Sequence, residues 1–170
     1  MGKSLKNILF VGLKLLLICA VVAGVVSFVY SVTEEAYLNN IDSTKREAVE
    51  SIFGESGLKL TKLDTDVYKV SRGSDLLGYC AKGVGAGFNG DIELMVGYDA
   101  KFTVIGVSIV SNSETPGVGS RALEEGYLAS YKGQNGEDPN VDALSGATYS
   151  SRGVKAGVID ATNRLAAAID

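Results

Sequence analysis

From Leu15 to Val32 the chain carries no charged residue, and this run limits its possible folds more than any other feature. The apolar character reaches back through Ile8–Leu13, interrupted only by Lys14. A helix of about 20 apolar residues crosses the hydrocarbon core of a bilayer. A lysine near its end can lay its stem along the helix and leave its ammonium at the interface. Lys3 and Lys6 precede the run, and Glu34 and Glu35 follow it. That asymmetry predicts a cytoplasmic N-terminus and an extracytoplasmic remainder. A cleaved signal peptide is the competing reading, but it calls for a shorter apolar stretch and a small-x-small cleavage site. Here the run closes on Phe28, Val29, Tyr30 and Ser31 without such a site. The expected division is a cytoplasmic N-terminus and transmembrane anchor over 1–33, then an extracytoplasmic domain over 34–170, attached to the cell membrane by a single pass.

Charge and residue usage then exclude several chemistries. Three of the 16 basic residues (Lys3, Lys6 and Lys14) lie in or before the apolar run, leaving 13 against all 20 acidic residues, a net of −7. An acidic domain repels phosphate backbones, so nucleic acid is not an expected partner. There is no histidine. This removes Ser-His-Asp and Cys-His nucleophiles, the commonest zinc ligand and imidazole acid–base catalysis, and no metal site is expected. Cys19 lies in the apolar run and cannot pair with Cys80, so neither a disulfide framework nor an iron–sulfur site is encoded. A redox role would need a cofactor attached without Cys or His.

The remainder reads as α+β, one compact mixed domain with an antiparallel sheet flanked by helices. Residues 34–54 are rich in Glu, Ala and Lys, carry apolar Tyr37, Leu38, Ile41, Val49, Ile52 and Phe53, and stop at Gly54, which predicts a helix leaving the membrane. Strands are expected over 58–63, 67–70, 76–81, 92–98 and 102–110. The last two form a hairpin, because Ile92, Leu94 and Val96 alternate before a turn at Tyr98–Lys101. A loop over 111–119 leads to a helix near 121–131 and a polar stretch over 132–140. The closing helix is expected over 151–168, where Val154, Val158, Ala161 and Leu165 recur at helical spacing. The glycines at 83, 85 and 87 do not make a dinucleotide loop, since Phe88 stands at the third glycine position and a strand follows where a helix should. Cys80 reads as a small core residue.

Just ahead of the last helix lies Asp142-Ala-Leu-Ser-Gly-Ala-Thr-Tyr-Ser-Ser151. On the residues alone, Ser150 or Ser151 is a candidate N-cap and Gly146 permits a backbone shape closed to other residues. Free N–H groups and the positive end of the helix dipole suit a phosphate. A plain helix-capping turn explains the same composition. The run Ser145-Gly-Ala-Thr-Tyr-Ser-Ser151, with Asp142 three residues before Ser145, resembles the flavinylation motif of the FMN-binding domain family. In that family a flavin transferase moves FMN from FAD onto the motif threonine through a phosphodiester bond. The resemblance implies covalent FMN on Thr148. Asp142, Ser145, Gly146, Ala147, Ser150 and Ser151 would form the recognition sequence of the transferase, a transient partner. Such a linkage needs only a hydroxyl.

A second stretch, Ser113-Glu-Thr-Pro-Gly-Val-Gly119, resembles the Glu-Thr-Pro-Gly-x-Gly loop of the same family, which lies beside the flavin. Pro116-Gly117 fixes a turn and Thr115 can donate to a flavin oxygen, although an ordinary turn would use the same residues. The resemblance thus implies a cofactor site of Ser145, Gly146, Ala147, Thr148, Tyr149, Glu114, Thr115 and Gly117. No catalytic residue is expected. Tyr149 is either a stacking ring or a core tyrosine, and Glu114 either a flavin hydrogen-bond acceptor or a turn cap. The layout of one short anchor, one outer domain and a terminal amphipathic helix resembles the flavin subunits of Rnf-type ion-translocating ferredoxin:NAD oxidoreductases. This implies membrane and peripheral partner subunits and an electron-relay role. The alternatives are the FMN subunit of a sodium-translocating NADH:quinone reductase, a stand-alone membrane-tethered flavin reductase, and a flavin-free structural subunit.

Overall fold

A computed structural model describes the backbone of residues 2–169 and the side chains of Phe10, residues 12–29 and residues 43–169. It divides into two compact units, Met1–Ser43 and Thr44–Asp170. Helix α1 is Gly2–Phe53. Within it Gly12–Val29 is an 18-residue window of mean hydropathy 2.5 with no residue buried, long and apolar enough to cross a membrane. Lys14 Nζ lies 4.4 Å from the Phe10 ring centroid, the stem-along-helix posture expected of a lysine inside an apolar run. Tyr37, Leu38 and Ile41 of the expected 34–54 helix lie outside the described side chains.

In the second unit, β1 (Lys59–Asp64), β2 (Val67–Arg72), β3 (Asp75–Ala86), β4 (Asp91–Tyr98) and β5 (Val104–Ser111) form one antiparallel sheet in sequence order. Helix α3 (Thr148–Ile169) covers one face. Its Val154, Val158, Ala161 and Leu165 pack on Val67, Ala81, Ile92, Leu94, Val96 and Val104. The other face is closed by Ala48 and Val49 near the end of α1, against Val70, Cys80 and Met95. Strand β4 is therefore buried on both sides, which is why Met95 is as inaccessible as its alternating neighbours. Tyr98 reaches across the first layer, its hydroxyl 2.8 Å from Thr162 Oγ1.

Three expectations are corrected. Strand β3 does not stop at Ala81 but runs through the glycines to Ala86. Gly83 and Gly85 lie directly under α3, where a Cβ on either would come within 1.9 Å of a helix carbonyl, that of Gly157 or Gly153 respectively. The backbone of β3 is tied to the helix as well, with Val84 N–H donating to Asp160 Oδ2 at 3.0 Å. Strand β5 begins at Val104, because Phe102 takes φ +64° in the hairpin turn, where Asp99 Oδ1 accepts from the N–H groups of Lys101 and Thr103. The helix expected near 121–131 is three short pieces: 3-10 turns at Gly119–Leu123 and Ala129–Tyr131 flank α2 (Glu125–Leu128). Glu124 is extended (ψ 146°) at the first junction, so Ala122, Leu128 and Tyr131 reach the core by separate turns.

Candidate functional site

The site is built where the turn before α3, the loop after β5 and the β3–β4 turn meet. Gly146 has φ +82°, the left-handed shape that lets the chain reverse into the helix. Helix α3 starts at Thr148, three residues earlier than expected, because Ala147 carbonyl accepts the first helical hydrogen bond from Ser151 N–H at 2.9 Å. Ser150 and Ser151 are thus not N-caps; both lie buried in the first turn. Ser151 Oγ donates to Ala147 carbonyl at 2.9 Å and accepts from Leu144 N–H at 3.0 Å, so it braces the turn from inside. The N–H groups of Thr148, Tyr149 and Ser150 have no protein acceptor among the described residues, which leaves the positive end of the helix open. Thr148 itself is exposed.

Glu114 organises what surrounds this helix start. It is buried, 7% exposed. Its Oε1 accepts from Phe88 N–H at 2.8 Å and Asn89 N–H at 3.1 Å, and its Oε2 accepts from Ser150 Oγ at 2.7 Å. One carboxylate thus joins the β3–β4 turn to the first turn of α3. Burial pushes the Glu114 pKa up, but the hydrogen bonds from Ser150, Asn89 and Phe88 outweigh it and leave it lowered, so the group is an anion at neutral pH. The latch requires glycine on both flanks: a Cβ at Gly87 would lie 2.2 Å from Oε1, and one at Gly119 would lie 1.9 Å from Oε2.

Above the latch is an open cleft of about 200 Å³. Gly146, Ala147, Thr148, Tyr149 and Ser150 form one side; Thr115, Val118, Gly119 and Phe88 form the rest. The two sequence motifs therefore meet in one cleft, represented by Thr115 and by residues 146–150. Glu114 and Gly117 are not among its lining residues. Asp142 and Ser145 line a neighbouring depression, where Tyr127 donates to Asp142 carbonyl at 3.1 Å. Arg121 Nη1 reaches Ser145 carbonyl at 3.5 Å. Sequence reasoning passed over Phe88 and Val118 as wall residues. The available signal was a large apolar side chain in each of two otherwise polar, glycine-rich turns.

Hydroxyl, open helix N-terminus and apolar wall in one cleft suit a ligand with an anionic end and a flat apolar ring, and FMN has that form. The family model of the FMN-binding domain matches residues 87–163, a segment that opens at the β3–β4 turn and contains the loop and Thr148. The site thus lies within the segment that matches the FMN-binding domain family. Over nearly its whole length the chain is similar to one kind of protein. It is 25% identical over 173 residues, covering 94% of this chain and 93% of the relative, to the G subunit of the proton-translocating ferredoxin:NAD(+) oxidoreductase complex of Clostridium ljungdahlii. It is 26% identical over 132 residues to the G subunit of the Na(+)-translocating ferredoxin:NAD(+) oxidoreductase complex of Acetobacterium woodii, covering 70% of this chain and 64% of the relative. Among solved structures, Shewanella oneidensis NqrC matches with TM-score 0.49 and 26% identity over 59% of this chain and 60% of the other.

Proposed function

We propose that this chain is the electron-carrying flavoprotein subunit of a membrane-bound ion-translocating ferredoxin:NAD oxidoreductase of the Rnf type, with FMN joined through its phosphate to Thr148. The observation that carries this reading is the position of Thr148. It is an exposed hydroxyl in the first turn of α3, beside N–H groups that have no protein acceptor among the described residues, and at the edge of an apolar-walled cleft. The names of the relatives support the complex, and the Gly12–Val29 segment supports attachment to the membrane. In this reading residues 1–33 are the anchor and 34–170 the extracytoplasmic flavin domain, the lysines before the apolar run holding the N-terminus in the cytoplasm.

Attachment forms a bond from Thr148 Oγ to the phosphorus of the FMN half of FAD and breaks the pyrophosphate bond, so AMP leaves. The hydroxyl proton passes to a base of the flavin transferase. Both oxygens of Glu114 are engaged and the chain has no histidine, so activation of this weak nucleophile falls to that enzyme. Asp142, Ser145, Gly146, Ala147, Ser150 and Ser151 present the threonine to it. Bound FMN supplies reversible one- and two-electron transfer. Thr115 and the α3 N-terminus hold its polar end, and the N–H groups offset the negative charge of the diester. Gly117 (φ +75°) shapes the loop that places Thr115.

The test is Thr148→Ala in the native membrane complex. We expect the complex to assemble in normal amount, this subunit to lose its flavin fluorescence in a denaturing gel, and ferredoxin-driven NAD reduction to fall to background. Full activity in the variant would overturn the proposal.

A further inference from the structure

The polar side chains of the 142–151 segment fall into two sets. Ser150 and Ser151 are buried, their hydroxyls engaged by Glu114 and by the 144–147 turn. Asp142, Ser145 and Thr148 are exposed, and their side chains form no hydrogen bond or ion pair among the described residues. Asp142 and Ser145 line a depression of about 390 Å³, with Gly126, Tyr127 and Ser130 among its other walls. This depression shares no lining residue with the cleft; it stops at Ser145, and the cleft starts at Gly146. We infer that the flavin transferase docks in this depression and holds the turn there while FMN is delivered to Thr148. The inference rests on the attachment of FMN to Thr148.

Position, shape and chemistry fit this occupant. An enzyme that filled the cleft would exclude the flavin it delivers, so its hold must lie beside the cleft and close to Thr148. The depression meets both conditions, because it runs along the segment leading into the acceptor residue. Its shape is fixed from outside the motif. Tyr127 hydroxyl donates to Asp142 carbonyl at 3.1 Å, and Arg121 Nη1 reaches Ser145 carbonyl at 3.5 Å. Backbone carbonyls are thus anchored while the Asp142 and Ser145 side chains stay available to a partner. Half-buried Tyr127, Val141 and Leu144 give an apolar floor, and Asp142 is the one charged residue in the lining. The complementary surface of the transferase is therefore an apolar side chain beside a cation.

The experiment uses the full-length chain, purified in detergent without flavin and given purified flavin transferase and FAD. Initial rates of FMN attachment are read from flavin fluorescence in denaturing gels. Gly126→Trp and Ser130→Trp fill the depression from residues outside the motif. A Cβ at Gly126 meets nothing within 4 Å and Ser130 is exposed, so the fold accommodates both. Each should raise the KM for the acceptor chain about tenfold with kcat within about twofold, the pattern of lost binding rather than lost chemistry. Asp142→Asn should also raise this KM, and the wild-type KM should rise with salt. Thr61→Trp, exposed on β1, is the control and should match wild type. Variants with a wild-type KM would overturn the inference while leaving the attachment intact. If those variants then failed to assemble into the membrane complex, the depression would belong to a partner subunit instead. A KM that rises only in step with a fall in Tm would overturn the inference too. A wild type that gains no flavin would overturn the attachment reading and the docking with it.

Discussion

Gly85→Val is expected to unfold the Thr44–Asp170 unit or to leave it far less stable, by about 4 kcal/mol or more, because overpacking against backbone has no soft neighbour to yield. A Cβ at Gly85 would sit 1.9 Å from the Gly153 carbonyl oxygen and 2.7 Å from the Gly157 nitrogen. Relief requires α3 to lift off β3, which opens the packing of Val154, Val158 and Leu165 on β4. Even Gly85→Ala meets the same atoms and should cost a large part of this. Gly126→Ala is the control. Its Cβ meets nothing within 4 Å and it lies in α2, so the change should be neutral or slightly stabilising. Thermal unfolding of the full-length chain in detergent checks both. A Gly85→Val protein as stable as Gly126→Ala would contradict the packing of helix on sheet. Since α3 carries Thr148, flavin loading of the Gly85 variants should fall with their stability.

The second large effect belongs to Glu114. Glu114→Ala leaves two N–H groups and a buried hydroxyl without their acceptor, and should destabilise the chain by about 3 kcal/mol. That corresponds to a fall of about 10 °C in Tm for a unit of this size. Glu114→Gln keeps the shape but offers one acceptor oxygen where two are used, so it should lie between. In a double-mutant cycle with Ser150→Ala, the pair should couple by about 1 kcal/mol or more. The pH dependence has a definite sign. The folded-state pKa of Glu114 is lowered relative to the unfolded chain. The carboxylate's contribution is therefore full above the ordinary carboxylate range and is lost as pH falls through the lowered folded value. The stability gap between wild type and Glu114→Ala should be constant near neutrality and shrink below about pH 4. A gap that did not change with pH would mean that the latch does not depend on the charge.

The parts legible in the sequence were those whose signal is local. Eighteen uncharged residues declare a membrane-length helix, and the alternation at Ile92, Leu94 and Val96 with a turn at Asp99 declares a hairpin. The end of β3 was illegible because glycine has no strand signature. What makes Gly83 and Gly85 necessary is a helix some 70 residues later in the chain, whose own Gly153 and Gly157 complete the contact. The start of α3 was misjudged for a similar reason. Ser150 and Ser151 have the composition of caps, but their hydroxyls are engaged by Glu114 and by the 144–147 turn, neither of which spacing reveals. At the site, motif resemblance was enough to single out Thr148 and Thr115, which the fold brings to one cleft. The bridging geometry of Glu114 was hidden because two of its three partners are backbone N–H groups, which carry no residue type. Phe88 was hidden with them, since its place in the wall follows from that bridge.

The central claim is the covalent attachment of FMN at Thr148, and intact mass of the full-length chain coexpressed with the flavin transferase tests it most directly. Wild type is expected to gain the mass of one FMN less one water, and Thr148→Ala to gain nothing. Equal gain in both would move the attachment elsewhere. No gain in either, from a transferase that modifies another acceptor in the same cells, would contradict the account and leave the turn before α3 as a helix start without a cofactor.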